Sequence, residues 1–181
     1  MAHIKLEDGI PGIRSLVMYR SDTGKPLYNL AQVLLREDSP LSSAERELIA
    51  AYVSNKNTCN FCMSSHAAAA RYLFQDKAQT VDLVLEDYQN APISDELKAL
   101  LTIAGKVQTD ARTVSDEDVK AARGFGATDR DIHDTVLIAA TFCMFNRYVD
   151  GLATLSPTDP EIYAQMGERM GTLGYILPAP I

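Results

Sequence analysis

Apolar positions recur along most of this chain at the 3.6-residue spacing of amphipathic helices. Between Lys25 and Arg36, Leu27, Leu30, Ala31, Leu34 and Leu35 form one stripe, with Asp22 or Thr23 available as a cap. Ser42 and Glu45 are spaced as a capping box ahead of Leu48, Ile49, Tyr52 and Val53, which predicts a helix from about Ser43 to Lys56, broken by Asn55 to Asn57. From Thr58 or Cys59 to about Phe74 the chain is Ala-rich, and the unbroken row Ala67 to Ala70 permits close approach of a neighbouring helix. The short connection makes these two helices an antiparallel hairpin. A short helix over Gln79 to Glu86 follows, then the linker Ala91 to Ser94, whose Ser94 caps a helix carrying Leu97, Leu100, Leu101, Ala104 and Val107. Ser115, with Asp116, Glu117 and Asp118 behind it, opens another helix that Gly124 and Gly126 close. Thr128 starts the longest helix, about Asp129 to Leu155, with an inward face drawn from Ile132, Val136, Ile138, Ala139, Ala140, Phe142 and Phe145. Pro157 and Pro160 end it, and an amphipathic stretch from Pro160 to Met170 leads into a Gly- and Pro-rich tail that is ordered only if it docks. No stretch alternates with a strand period, so the expected fold class is all-α.

Composition agrees with that pattern. Ala and Leu far outnumber Val and Ile, the bias of helix formers over strand formers. At 181 residues, with 46% apolar and 23% charged positions, the chain is expected to form one domain, residues 1–181, with a core over about 10–155 and a C-terminal extension over 156–181. Lys and Arg total 17 against 24 Asp and Glu, a net charge of −7 without a basic block, which argues against nucleic acid and against an acidic membrane surface as partners. The nearly uninterrupted apolar run Val136 to Phe145 is half the ~20 residues of a membrane span. Glu7 and Asp8 fall where a signal peptide would be apolar, so the expected location is cytoplasmic. Three cysteines do not make a secreted disulfide framework, and the close pair Cys59 and Cys62 reads instead as redox chemistry or metal binding.

On a helix, Cys59, Cys62 and His66 fall within about 60° of one another, on a stripe that Ala69, Ala70 and Leu73 continue, so thiols and imidazole face inward. Glu47 lies nine residues before Lys56 and His66 seven after Cys59, which at about 1.5 Å per residue gives similar depths of roughly 10 to 14 Å in an antiparallel hairpin. The carboxylate can therefore meet the imidazole and orient it, and His66, one turn from Cys62, can take the thiol proton. Both cysteines are expected in the first helical turn, where free N–H groups favour an anion. Side chains three apart stand about 5 to 6 Å from each other between Cβ atoms, so a distorted first turn would allow a reversible disulfide. Cys62 is the favoured nucleophile on geometry, with the reversed assignment open. The same Cys59, Cys62, His66 and Glu47 would also supply four tetrahedral zinc ligands in a metal-stapled, non-enzymatic helical oligomer.

The spacing itself, with Glu47, Cys59-x-x-Cys62 twelve residues later and His66 four residues after that, resembles the alkylhydroperoxidase AhpD and carboxymuconolactone decarboxylase-like family. Leu41-Ser42 followed by Glu45 to Ile49 resembles the family's lead-in, and Phe145 to Leu152 resembles the Asn-Arg segment of its peroxidase-related branch. The resemblance implies an AhpD-like helical bundle whose central hairpin carries the Cys-x-x-Cys, and a homo-oligomer of three, six or two chains. It implies a thiol-dependent peroxidase acting on alkyl hydroperoxides or hydrogen peroxide and needing no cofactor. In the family scheme Glu47 and His66 deprotonate Cys62, Cys62 attacks the peroxide, Cys59 resolves the sulfenic acid, and an external dithiol of thioredoxin or lipoyl type resets the pair. A carboxymuconolactone decarboxylase-like lactone enzyme is the second reading it allows. Phe61 stands where the best-known member has a His, so one proton donor of that member is missing here.

Other residues with chemical potential are read more plainly. Glu45 belongs to its capping box, Cys143 to core packing between Phe142 and Met144, His133 to the acidic first turn of its helix and His3 to the N-terminal tail. Arg147 and Asp150, three apart, are a surface ion pair or a brace between subunits.

Overall fold

The structure is a computed structural model that describes residues 1–176. Among them nine α-helices are connected by short loops and two 3-10 turns, with no strand: α1 (Gly12–Tyr19), α2 (Ser21–Arg36), α3 (Ser43–Lys56), α4 (Asn60–Phe74), α5 (Gln79–Asp87), α6 (Asp95–Asp110), α7 (Asp116–Gly124), α8 (Asp129–Gly151) and α9 (Pro160–Leu173). The chain is all-α, as the apolar spacing predicts. None of these helices is long and apolar enough to cross a membrane.

Local chemistry sets most of the starts. Ser42 with Glu45, Ser115 with Asp118 and Thr128 with Asp131 each form a reciprocal capping box, satisfying two backbone donors that the first turn would otherwise leave free. Ser94 caps α6 by accepting from the Leu97 amide at 3.1 Å. Three boundaries differ from expectation. A helix over Gly12–Tyr19 precedes the first expected one; α2 begins at Ser21 with Arg20, not Asp22 or Thr23, at its cap position; and α8 stops at Gly151, before the prolines that were to end it. Asp22 instead pairs with Arg20 at 3.0 Å on the surface. Ala140, expected inward, faces solvent. Arg46 is 3% exposed because its guanidinium caps the end of α2, donating to the Leu34 carbonyl at 3.1 Å and the Glu37 carbonyl at 2.8 Å.

The core lies around α3, which packs on α4, α6 and α8 and is buried nearly all round; Leu48, Ile49, Ala50, Ala51 and Val53 are wholly enclosed. Each large side chain so enclosed contributes about 1.5–3 kcal/mol through apolar burial. The other face of α4 packs against α9. The Ala row works as expected there: Gly167 of α9 lies so near the Ala68 backbone that an added Cβ would stand 2.5 Å from its carbonyl carbon. Gly167→Ala must therefore push α9 off α4, and a loss of about 1–3 kcal/mol is expected. Chemical denaturation reads this directly, and an unchanged midpoint would mean that the helices do not hold this approach.

The tail beyond α9 docks. The Tyr175 amide donates to Gln32 Oε1 at 2.8 Å, and Arg36 donates twice to the Met170 carbonyl, at 3.2 and 2.9 Å. The expected extension over 156–181 is thus tied to α2 as far as Tyr175, and its last five positions lie outside the described residues.

Candidate active site

The turn between α3 and α4 is built to deliver Cys59. The Cys59 amide donates to the Ser54 carbonyl at 3.0 Å, and Thr58 sits at φ +57°, a left-handed conformation that reverses the chain. Asn146 of α8 pins this turn: its side chain accepts from Asn57 Nδ2 at 2.8 Å and donates to Ser54 Oγ at 3.0 Å. Cys59 therefore occupies the cap position of α4, one step outside the first turn where the sequence places it, while Cys62 lies inside that turn. Both are reduced. Cys59 is 0% exposed, Cys62 3% and His66 9%, so the stripe they share does face inward.

Glu47, carried by α3, is wholly buried, and His66 Nδ1 donates to its Oε2 at 2.6 Å, the contact that the hairpin register predicts. Two residues that sequence reasoning missed complete this cluster. Arg36 Nη2 and the Tyr175 hydroxyl each donate to Glu47 Oε1 at 2.6 Å, and that hydroxyl lies 3.2 Å from His66 Nδ1. Arg36 also lies 5.2 Å from the centre of the Tyr175 ring, a cation–π distance. No periodicity marks either residue: Arg36 reads as a basic helix end, and Tyr175 sits in a tail with no helical pattern.

Electrostatics follow from these contacts. Burial alone would push the Glu47 carboxyl up, but the His66 charge and hydrogen bond, the Arg36 guanidinium and the Tyr175 hydroxyl together hold it below the ordinary carboxylate value. The acid is thus ionised at neutral pH. Burial and the adjoining carboxylate push the Tyr175 phenol well up, so it stays a donor. Arg36 shares the carboxylate's charge, which leaves Glu47 to hold the ring's tautomer with Nδ1–H engaged and Nε2 as the free nitrogen. Edge-on contact with the Phe142 ring, 4.5 Å between centroids, fixes the imidazole from another side.

Cys62 and His66 both line a cavity of about 120 Å³, with Phe61, Phe142, Phe145 and Tyr175 among its walls. Phe61 reaches it because Gly12, at φ +53°, has no Cβ where the ring sits. Cys59 is not part of this lining. Its thiol is pushed up by its hydrogen bond with Cys62 and by burial, and so holds its proton beside the Cys62 sulfur.

The remaining candidates lie apart from the cavity. Cys143 is half-buried and accepts from Asn57 Nδ2 at 3.6 Å, the exposed His133 pairs with the buried Asp134 at 2.9 Å, and His3 uses its backbone to hold Leu152. Arg147 donates to the Cys143 carbonyl at 2.8 Å rather than pairing with Asp150. Among the described residues no three His, Cys, Asp or Glu side chains converge as a metal site would require.

Comparison with known proteins follows the same lines. Residues 22–86, which include Arg36, Glu47, both cysteines and His66, match the model of the carboxymuconolactone decarboxylase family. Among solved structures, an uncharacterized peroxidase-related protein from Silicibacter sp. TM1040 is similar at 27% identity, over 86% of this chain and 79% of that one, with a TM-score of 0.77. A second, described as an alkylhydroperoxidase AhpD core and an uncharacterized peroxidase-related protein from Ralstonia eutropha JMP134, is 28% identical over 88% of this chain and 82% of that one, also at 0.77. A protein of unknown function from Agrobacterium tumefaciens shares the fold at 20% identity over 80% and 97% of the two chains, TM-score 0.69. No curated protein sequence matches.

Proposed function

For a chain that is AhpD-like in fold and matches the carboxymuconolactone decarboxylase family over residues 22–86, we propose a thiol-dependent peroxidase that reduces alkyl hydroperoxides or hydrogen peroxide. One observation carries this reading: a cysteine pair in which only Cys62 lines an apolar cavity, beside a His66 ring held through Nδ1 by a buried, ionised Glu47.

His66 Nε2 takes the Cys62 proton, directly or through a water, and the thiolate attacks one peroxide oxygen. The O–O bond breaks, a Cys62 sulfenic acid forms, and the alkoxide leaves as the alcohol with the proton that His66 returns. Cys59, still a thiol, then attacks the sulfenic sulfur; water leaves and a Cys59–Cys62 disulfide remains. Two thiols have been oxidised and one peroxide reduced by two electrons. An external dithiol, of thioredoxin or lipoyl type, restores the pair by exchange and is itself oxidised. The cap position of Cys59 serves this step, since a residue outside the regular first turn can close on Cys62 without unwinding the helix. A homo-oligomer is part of the same reading.

Titration of the reduced protein with cumene hydroperoxide tests it. One equivalent should consume two of the three thiols and yield a Cys59–Cys62 disulfide by peptide mapping, and a small dithiol should make consumption catalytic. Three intact thiols after excess hydroperoxide would sink the proposal.

A further inference from the structure

The cavity beside Cys62 and His66 is apolar along much of its wall, yet two guanidiniums line it, Arg14 from α1 and Arg169 from α9. No Asp or Glu is among its lining residues. The chain as a whole carries −7, so two cations meeting at one apolar cavity without an acid are a local reversal of charge. Their placement is specific. Tyr28 lines the same cavity, and burial raises its phenol while the charges of Arg169 and Arg14 act against that rise. Among the described residues no hydrogen bond engages the Arg14 guanidinium, and Arg169 uses one nitrogen, Nη2, on the Ile176 carbonyl at 3.1 Å. Arg14 is exposed and Arg169 half-buried, whereas Cys62 and His66 are 3% and 9% exposed. The basic end of the cavity thus faces water and the thiol lies at its enclosed end.

We propose that Arg14, Arg169 and Tyr28 bind the carboxylate of an amphipathic acid whose apolar chain lies against Phe142, Phe145 and Met166, making the hydroperoxide of a carboxylic acid the substrate class. Two planar guanidiniums and a phenol offer more donors than one carboxylate can use, and such charge-assisted bonds at the edge of a low-dielectric cavity are among the stronger polar contacts. The apolar walls supply affinity for the chain and bring an internal hydroperoxide to Cys62. The assignment of a hydroperoxide rests on the peroxidase reading, while the carboxylate site stands without it.

Calorimetric titration with octanoate and with octanamide separates the two, because neither probe needs turnover. The reduced protein should bind octanoate at least about tenfold more tightly than octanamide, the scale of a charge-assisted hydrogen bond. Arg14→Gln, which leaves the Arg169 bond to Ile176 in place, should remove part of that preference, and the Arg14→Gln/Arg169→Gln double variant should bring it to within about twofold. Equal binding of the two probes, or a preference that the double variant keeps while its melting curve matches the parent, would overturn the site. The hydroperoxide of an unsaturated fatty acid and its methyl ester are then compared as substrates, with the acid expected to show the higher kcat/KM. Equal turnover of acid and ester overturns the substrate class and leaves the peroxidase. Octanoate preference without turnover of either hydroperoxide overturns the peroxidase and leaves the carboxylate site.

Discussion

Cys62→Ser should abolish hydroperoxide turnover, by roughly 10⁴- to 10⁶-fold, the loss seen when an activated nucleophile is removed. A serine hydroxyl in the same place has no accessible anion at neutral pH and cannot accept an oxygen from the O–O bond. Cys59→Ser should behave differently. It should consume one equivalent of peroxide and stop, with a sulfenic acid trapped at Cys62 as a dimedone adduct in a mass spectrum. The difference follows from position: Cys62 lines the cavity, whereas Cys59 is wholly buried, outside the lining, with its thiol bonded to the Cys62 sulfur. If instead Cys59→Ser blocks the first equivalent and Cys62→Ser allows it, the two roles are reversed.

Replacing Glu47 should damage stability and chemistry together. Glu47→Ala leaves the Arg36 guanidinium, 10% exposed at its side chain, without its counter-charge, and strips the Tyr175 hydroxyl and His66 Nδ1 of their acceptor. Breaking a buried pair in this way costs about 3–5 kcal/mol. Glu47→Gln keeps the shape and one acceptor, and should fold with a smaller loss while turnover falls by about 10²- to 10⁴-fold, because His66 loses the group that fixes its tautomer. The pH dependence distinguishes a charge from a mere space-filler. The Glu47 pKa is depressed in the folded protein, so its contribution to stability is fully present above its ordinary value, near 4.5, and is lost as pH falls through the lower folded value. Urea midpoints of the parent should therefore drop in that acid range by a component that Glu47→Gln lacks. Parallel pH profiles for the two proteins would mean that Glu47 is protonated throughout.

Much of this arrangement is legible in the sequence because it is local or nearly so. The capping boxes at Ser42, Ser115 and Thr128 are three-residue relations. The meeting of Glu47 and His66 follows from two helices joined by a short turn, where depth is a matter of counting residues. Arg36 and Tyr175 escape for the opposite reason. They reach Glu47 across 11 and 128 positions, through docking of a helix end and a tail, and docking leaves no period in the chain. The α1 helix is not expected from the sequence because its eight residues make little more than two turns and no side chain caps its start. The expected end of α8 was set by prolines, whereas Gly151 and the left-handed Ala153, at φ +49°, turn the chain earlier.

The thiols, the imidazole and its carboxylate all ride on α3 and α4 or the turn between them, while much of the cavity wall comes from α1, α2, α8 and α9. The cysteine pair and most of the cavity wall therefore come from separate stretches of the chain, with Arg36 of α2 and Tyr175 of the tail joining the two through Glu47. On the peroxidase reading, substitutions at Arg14 or Met166, which make no hydrogen bond to Glu47 or His66, are expected to reshape what the cavity admits, whereas Arg36 of α2 and Phe142 and Asn146 of α8 have to stay, because they hold Glu47, the His66 ring and the Cys59 turn.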